Sequence, residues 1–572
     1  MQTIQYEPIN IPASDLERIK LPKFQRKFVW PKKKKDSFIE TLHKGFPFGS
    51  ILVYPENQGA NSELLIIDGQ QRLSTIMEFR KDPLSFWKPN NETAYNEALE
   101  RINSLLPEES QLNEREFDES LRLDVQDFYN WLVKVTGASG FEEINAEFSN
   151  IKKSIKDYVD LSHLLIPAIK YIGAREYIAD VFSRLNQGGI PLTKYQVYSA
   201  AWAHTKIVLS ASKLQNEILE NVKNYYSSVS KDVEFELDGF SEDELTNSRT
   251  ITLSDFGMAI GIYAQAHLKA LIPDTESKIP EIGFGLLAIA VDLDNRKLGN
   301  LIDYSCYIET NLQTILEKIE RICNNLQDVF SKLLKTVKDN KSDSYALGLS
   351  TTFKTLSYFA ALWHLDPYSS DYKNTLKNIK GYYLYDSLTK AWSGAGDLRL
   401  LGYQAGTKER DYLRPIEIDA FEKAFEQWID SRTAGRVNFT GETKAIITIH
   451  ANLTYLAKTV PSGESFELEH IIARKLIKDA DQETAEALFG NSIGNCMFLP
   501  SGLNNKKKYK TLYDVNDDNR YTWLIRESFY FPEADLNDAI NAIADGRPDD
   551  ANRIIRKRAQ LVGSSTAKAL LA

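Results

Sequence analysis

Near the C-terminal end two adjacent side chains, Glu469 and His470, set a carboxylate beside an imidazole within the apolar run Phe466 to Ile472. Asn495 follows twenty-five residues after His470, Asn504 nine residues later, and Lys507 shortly beyond. Imidazole exchanges a proton near neutral pH, and carboxylate and amide oxygens suit a hard divalent cation better than zinc. Hydrolysis of a phosphodiester asks for such groups: an activated water and a cation on the leaving oxygen. The other six histidines (His43, His163, His204, His267, His364 and His450) stand in helical or apolar contexts and read as structural.

A second set lies near the N-terminus. Ile66-Ile67-Asp68-Gly69-Gln70-Gln71-Arg72 runs an apolar stretch into a glycine and places an arginine at the start of a helical pattern. Free amides at a helix start, with a guanidinium beside them, make a phosphate cradle, and glycine lets a ligand approach the backbone. Upstream stands Leu21-Pro22-Lys23-Phe24-Gln25-Arg26, and downstream Arg184-Leu185-Asn186-Gln187-Gly188-Gly189. The GxxxxGK[ST] frame needs a Gly-Lys dipeptide, which the chain lacks, so any NTP chemistry here is not of the P-loop type.

The elements that must position these residues follow from periodicity. Residues 50–54 and 64–67 predict strands, and Leu73, Ile76 and Phe79 predict a helix from Gln70. Phe38, Ile39 and Leu42 give helical spacing over 35–44. Leu312, Ile315, Ile319, Ile322, Leu326, Val329, Leu333 and Val337 step by three or four and predict a long amphipathic helix. At the C-terminal site, 466–472 and 496–499 predict two strands, with a lysine-rich helix from Ser501. Alternation on a strand would send Glu469 and His470 to opposite faces, so both can serve one site only at a bend or at the strand's end.

An acid–histidine pair on one strand, an asparagine opening the next and another on the following helix resemble the HNH (ββα-metal) nuclease finger. That resemblance implies His470 as general base, Asn495 orienting its ring, Lys507 at the scissile phosphate, and Glu469 with Asn504 holding one Mg²⁺ or Mn²⁺. Ala473 departs from the proline common in that family, and Glu469 is one methylene longer than the usual aspartate. Residues 8 to 205, with the motifs quoted above, resemble the N-terminal domain of GmrSD-type modification-dependent (type IV) restriction enzymes and related phosphorothioate-sensing nucleases. The DGQQR motif is similar to the nucleotide-binding core of the ParB/sulfiredoxin fold. This implies binding and hydrolysis of a nucleoside triphosphate (GTP or another) by Asp68, Gly69, Gln70, Gln71 and Arg72, completed by Gln25 and Arg26, with Asn186 on the rim.

The fold class expected is a multidomain α+β chain. It comprises a ParB/sulfiredoxin-like domain over 1–205, a helical scaffold over 206–428, and an HNH finger in a mainly helical domain over 429–572. At 572 residues, 43% hydrophobic and 26% charged, the chain can bury several cores. The longest apolar run, Ile282 to Val291, is half of what a membrane span needs, no secretory signal opens the chain, and three cysteines without a CxxC pair argue against a disulfide framework. A cytoplasmic protein with no membrane partner is expected.

Net charge is −10, yet Arg18 to Lys35 holds nine cations and no acid, with further clusters at Lys506–Lys510 and Arg553–Arg558. Distribution matters more than the sum for a DNA binder, although a charge run is often only a solvated face. The resemblances imply an NTP-regulated endonuclease that senses modified phage or foreign DNA in antiphage defence. The alternative is a nucleotide-switched DNA sensor with an inactive finger. A homo-oligomer or partner defence proteins stay open, as do the DNA modification and the nucleotide.

Overall fold

Five short strands gather the apolar runs of the N-terminal region into one mixed sheet: β1 (Tyr6–Pro12), β2 (Ile19–Lys20), β3 (Ile51–Pro55), β4 (Leu64–Asp68) and β5 (Leu165–Tyr171). The order is β1-β5-β3-β4-β2. β1 runs antiparallel to β5 with Tyr6 opposite Tyr171, β3 is parallel to β5 and antiparallel to β4, and β4 is parallel to β2. Ile51, Leu52, Val53, Leu65, Ile66 and Ile67 are buried, as expected of strands covered on both faces. β1 carries Pro8 and Pro12 and stands at the edge, where a missing N–H costs no ladder bond. The structure is a computed structural model and describes residues 5–20, 30–55, 63–136, 141–173, 181, 202, 205–232, 241–275, 277–336, 344–404, 411–458 and 465–572.

Helix α1 (Lys32–His43) buries Phe38, Ile39 and Leu42 and begins directly after Pro31, a few residues earlier than the apolar spacing alone indicates. β4 runs into α2 (Gln70–Lys81) through Gly69, whose φ of 97° lies in the left-handed region. A Cβ there would also meet the side chain of Ile51 at 2.5 Å, so glycine is required twice over. Helices α3 (Glu92–Leu105) and α4 (Phe141–Lys156) pack together, with Tyr95, Phe117, Phe128 and Phe148 forming a chain of ring contacts.

Two compact units divide the chain: residues 1–204 with 222–250, and residues 205–221 with 251–572. The second is mainly helical, so the segment expected as a scaffold and the segment carrying the finger share one unit. The long amphipathic helix is present as α5 (Leu312–Leu334), burying Leu312, Ile315, Ile319, Ile322, Leu326 and Leu333. Helices α6 (Ile418–Asp430), α7 (Gly441–Leu453) and α10 (Pro548–Leu571) form a bed for strands β6 (Phe466–His470) and β7 (Cys496–Pro500). Between the strands lies α8 (Arg474–Asp479), and after them α9 (Ser501–Lys507). Among the described residues no helix is long and apolar enough to cross a membrane.

Candidate functional site

β6 and β7 pair antiparallel with Glu469 opposite Met497 and His470 opposite Cys496, and α9 follows β7 without a break. Strand, strand and helix thus occur in the predicted order. β6 ends at His470, which meets the requirement that Glu469 and His470 reach one place. Both line a cleft of about 750 Å³, together with Glu467, Asn504, Arg474, Lys444 and Phe439, and with residues 344–348 forming another wall.

His470 is only 8% exposed. Its Nε2 lies 2.9 Å from the carbonyl oxygen of Val437, and the ring stacks on Phe439 at 3.9 Å between centroids and 19° between planes. A carbonyl can only accept, so Nε2 carries the proton and the neutral ring keeps its lone pair at Nδ1. Burial pushes the pKa of His470 down to about 4. The cationic Arg474 and Lys507 act in the same direction, and the Val437 carbonyl opposes them. The imidazole is therefore neutral at physiological pH.

Asn495 is completely buried and spends its side chain on backbone. Its Oδ1 accepts from Ile472 N at 2.8 Å, and its Nδ2 donates to Gly490 O at 3.0 Å. These bonds do not run to the imidazole, so the direct orienting contact implied by the resemblance is replaced by support of the turn after β6. A relay nevertheless exists. A Cβ on Gly490 would sit 3.2 Å from Arg436 O and 3.5 Å from Val437 Cα, so the turn held by Asn495 packs closely on the segment that holds His470. That segment is also tied down by Gly435 N donating to Leu488 O at 2.9 Å.

Lys507 differs from its expected placement too. It is completely buried, and its Nζ donates to His470 O at 2.9 Å, which turns it away from any substrate phosphate. Burial lowers the pKa of its ammonium, partly offset by Glu469. Asn504 is half-buried, and its Nδ2 donates to Glu467 Oε2 at 3.0 Å, leaving the amide oxygen uncommitted. Glu467 was missed in the sequence, although its position two residues before Glu469 on the same strand puts both carboxylates on one face. The oxygen donors Glu467, Glu469 and Asn504 border one cleft and fit a hard cation. Among the described residues, no group of three or more His, Cys, Asp or Glu side chains converges as a metal site.

Arg558 underpins the whole arrangement. Read from sequence as part of a surface basic cluster, it is 2% exposed and donates to the carbonyls of Ile493, Gly494, Cys496, Ser528 and Phe529 at 2.8–3.2 Å. Three of those carbonyls flank Asn495 at the entry to β7.

At the N-terminal turn, Arg72 folds back on Asp68. Arg72 Nη2 lies 3.2 Å from Asp68 Oδ2, and Nη1 donates to Ser50 O at 3.0 Å. Gln70 and Gln71 are buried, and Gln71 Oε1 accepts from Trp30 N at 2.9 Å. Among the described residues, Gln70 Nε2 is buried without a hydrogen-bond partner. Gln25, Arg26 and Asn186 lie outside the described residues. Residues 10–203 match the family model described as GmrSD restriction endonuclease, N-terminal domain. Over that span the chain is similar to a GmrSD N-terminal domain. The span similar to GmrSD takes in the entire five-stranded sheet apart from the first residues of β1, and the DGQQR turn at the end of β4 lies within it. No curated protein matches the chain.

Among the described histidines outside the finger, His163, His267 and His364 each pair with a single carboxylate, His43 bonds the Tyr158 carbonyl and His450 bonds Thr566.

Proposed function

We propose that this protein is a restriction endonuclease acting on modified foreign DNA, with its hydrolytic site in the cleft at β6, β7 and α9 and an NTP-binding site at the Asp68–Arg72 turn. The observation that carries the reading is one cleft bordered by a neutral imidazole with its Nδ1 lone pair uncommitted, two carboxylates on one strand face, and an amide oxygen. His470 takes the proton of the attacking water at Nδ1, while the Val437 carbonyl on Nε2 fixes the tautomer. Phe439 holds the ring plane. Glu469 and Asn504, with Glu467 beside them, would hold Mg²⁺ or Mn²⁺, which would supply charge stabilisation to the leaving oxygen. Asn495 keeps the turn, and Lys507 keeps the His470 carbonyl. The ββα-metal identity of the finger and the ParB-like identity of the N-terminal sheet belong to this proposal.

At the N-terminal turn, Arg72 and the amides at the start of α2 would bind phosphate. Asp68 is a carboxylate for the nucleotide's metal or the attacking water. The match to a GmrSD restriction endonuclease N-terminal domain supports pairing such a pocket with a nuclease.

The covered ring of His470 favours one competing reading, a DNA sensor whose finger does not cut. A single assay separates the two: purified protein with a panel of unmodified and modified phage DNAs, Mg²⁺ or Mn²⁺, and each NTP. Cleavage of a modified DNA that chelator abolishes, that Glu469→Gln loses, and that loses its NTP dependence in Arg72→Ala is the expected result. Binding without metal-dependent cleavage on every DNA would select the sensor.

A further inference from the structure

The three basic clusters of the sequence have different fates. In the first, Lys32 pairs with Asp36, Lys35 with Glu78 at 2.6 Å, and Lys34 lies over the Trp30 ring. In the third, Arg553 pairs with Asp550, Arg556 with Asp430 at 2.6 Å and Lys557 with Asp535, while Arg558 is buried. Lys33 of the first cluster is exposed without an ion pair among the described residues, and the middle cluster is the one that follows directly on the cleft-lining Asn504. Among the described residues, Lys506, Lys508 and Lys510 are exposed and have no ion pair, and the same holds for Arg474 and Lys475 at the start of α8. These residues are contiguous: Lys475 Nζ lies 5.7 Å above the ring of Tyr509, itself 56% exposed, and Arg474 lines the cleft with Asn504. The chain reverses at Lys508, whose φ is 48°, and Lys510 N donates back to Lys507 O at 2.7 Å. The alternate lysines are thus carried on one tight turn beside the cleft.

We propose that Arg474, Lys475, Lys506, Lys508 and Lys510, set around Tyr509, form a ridge that holds the sugar-phosphate backbone of the DNA flanking the cleaved bond. The inference rests on the nuclease reading above and assigns to the ridge the phosphate contact that buried Lys507 cannot make. Unpaired cations are the ones that release counterions usefully on binding a polyanion. A cation already matched by a carboxylate gives up an ion pair to do so. The middle cluster, next to the site, thus offers exposed cations that no carboxylate matches among the described residues.

The test uses the full chain, a short labelled DNA duplex carrying the modification that supports cleavage, and chelator, so that binding is read without cutting. The affinity is measured across a salt series. Lys506→Ala/Lys508→Ala/Lys510→Ala should flatten the log–log salt slope by about 2–3 units. The matched triple Arg553→Ala/Arg556→Ala/Lys557→Ala, losing the same charge, should leave it near the parent value. A ridge triple with the parent slope, or a control triple that loses as much, overturns the ridge while leaving the nuclease reading intact if the parent still cuts with metal. A parent that neither binds nor cuts any DNA overturns both. An unchanged slope with a change in oligomeric state would assign the ridge to contacts between copies, which also overturns it.

Discussion

The DGQQR turn and the finger are held in different ways. At the turn the contacts of Arg72 run to Asp68 four residues back and to Ser50 in the loop before β3, while Gln71 reaches further, to Trp30 N. At the finger the supports come from far away. Val437 and Phe439 reach His470 from more than thirty residues upstream, and Arg558 reaches the entry of β7 from more than sixty residues downstream. A motif held locally can be recognised and placed from its own residues. A motif held remotely can be recognised, but the orientation of its side chains is decided elsewhere.

The strongest way to break this comparison is to remove the remote support. Arg558→Met should destabilise the unit of residues 251–572 by about 3–5 kcal/mol in urea denaturation, because five buried carbonyls lose their donor. Arg558→Lys should recover only part, since an ammonium has three donors and no fork. A loss below about 1 kcal/mol would mean that the finger's entry is held by something else.

A smaller effect is expected where the support acts on chemistry more than on folding. Phe439→Ala should lower kcat for DNA cleavage by about 10- to 100-fold through a loosened imidazole, with KM nearly unchanged and Phe439→Tyr restoring the rate. Equal kcat in Phe439→Ala would leave the stacking as packing alone.

The bed beneath the finger offers a third test. His450 on α7 is fully buried, its Nδ1 bonds Thr566 Oγ1 at 3.1 Å, and burial, with the nearby Arg558 charge, pushes its pKa down to about 3. Thr566 donates its own proton to Val562 O, so it accepts from His450 Nδ1, and the buried Nε2 stays unprotonated. The unfolded chain binds this proton near pH 6.5 and the folded chain does not. The contribution of neutral His450 is thus complete above pH 6.5 and is lost as pH falls from there toward 3. His450→Leu should reduce the acid slope of stability between pH 6.5 and 4.5 by up to ~1.4 kcal/mol per pH unit. An unchanged slope would show that His450 is not held neutral.

Much of the fold was legible because burial imposes period. The runs at Ile51–Val53 and Leu65–Ile67, the stripe of α5, and the order of β6, β7 and α9 follow from apolar spacing. Lys507 was misplaced because it sits in a run of three lysines that look equally solvated. The signal was its spacing four residues after Leu503, on the buried side of α9. Arg558 hid in the same way, on the stripe of Ala551, Ile555, Ala559 and Val562. Nothing in the motif itself points to Val437 or Phe439, since a backbone carbonyl leaves no mark in sequence and one phenylalanine in an irregular segment resembles any other. The side-chain partners of Asn495 are backbone groups, which residue spacing alone does not name.

The account stands most directly on the single-turnover cleavage rate of His470→Ala on a DNA the parent cuts, with the variant's urea midpoint measured alongside. The structure predicts a rate lower by about 10²–10⁴-fold, the usual contribution of a positioned general base, with DNA affinity retained. A folded variant cutting as fast as the parent would contradict the assignment of His470 as the base.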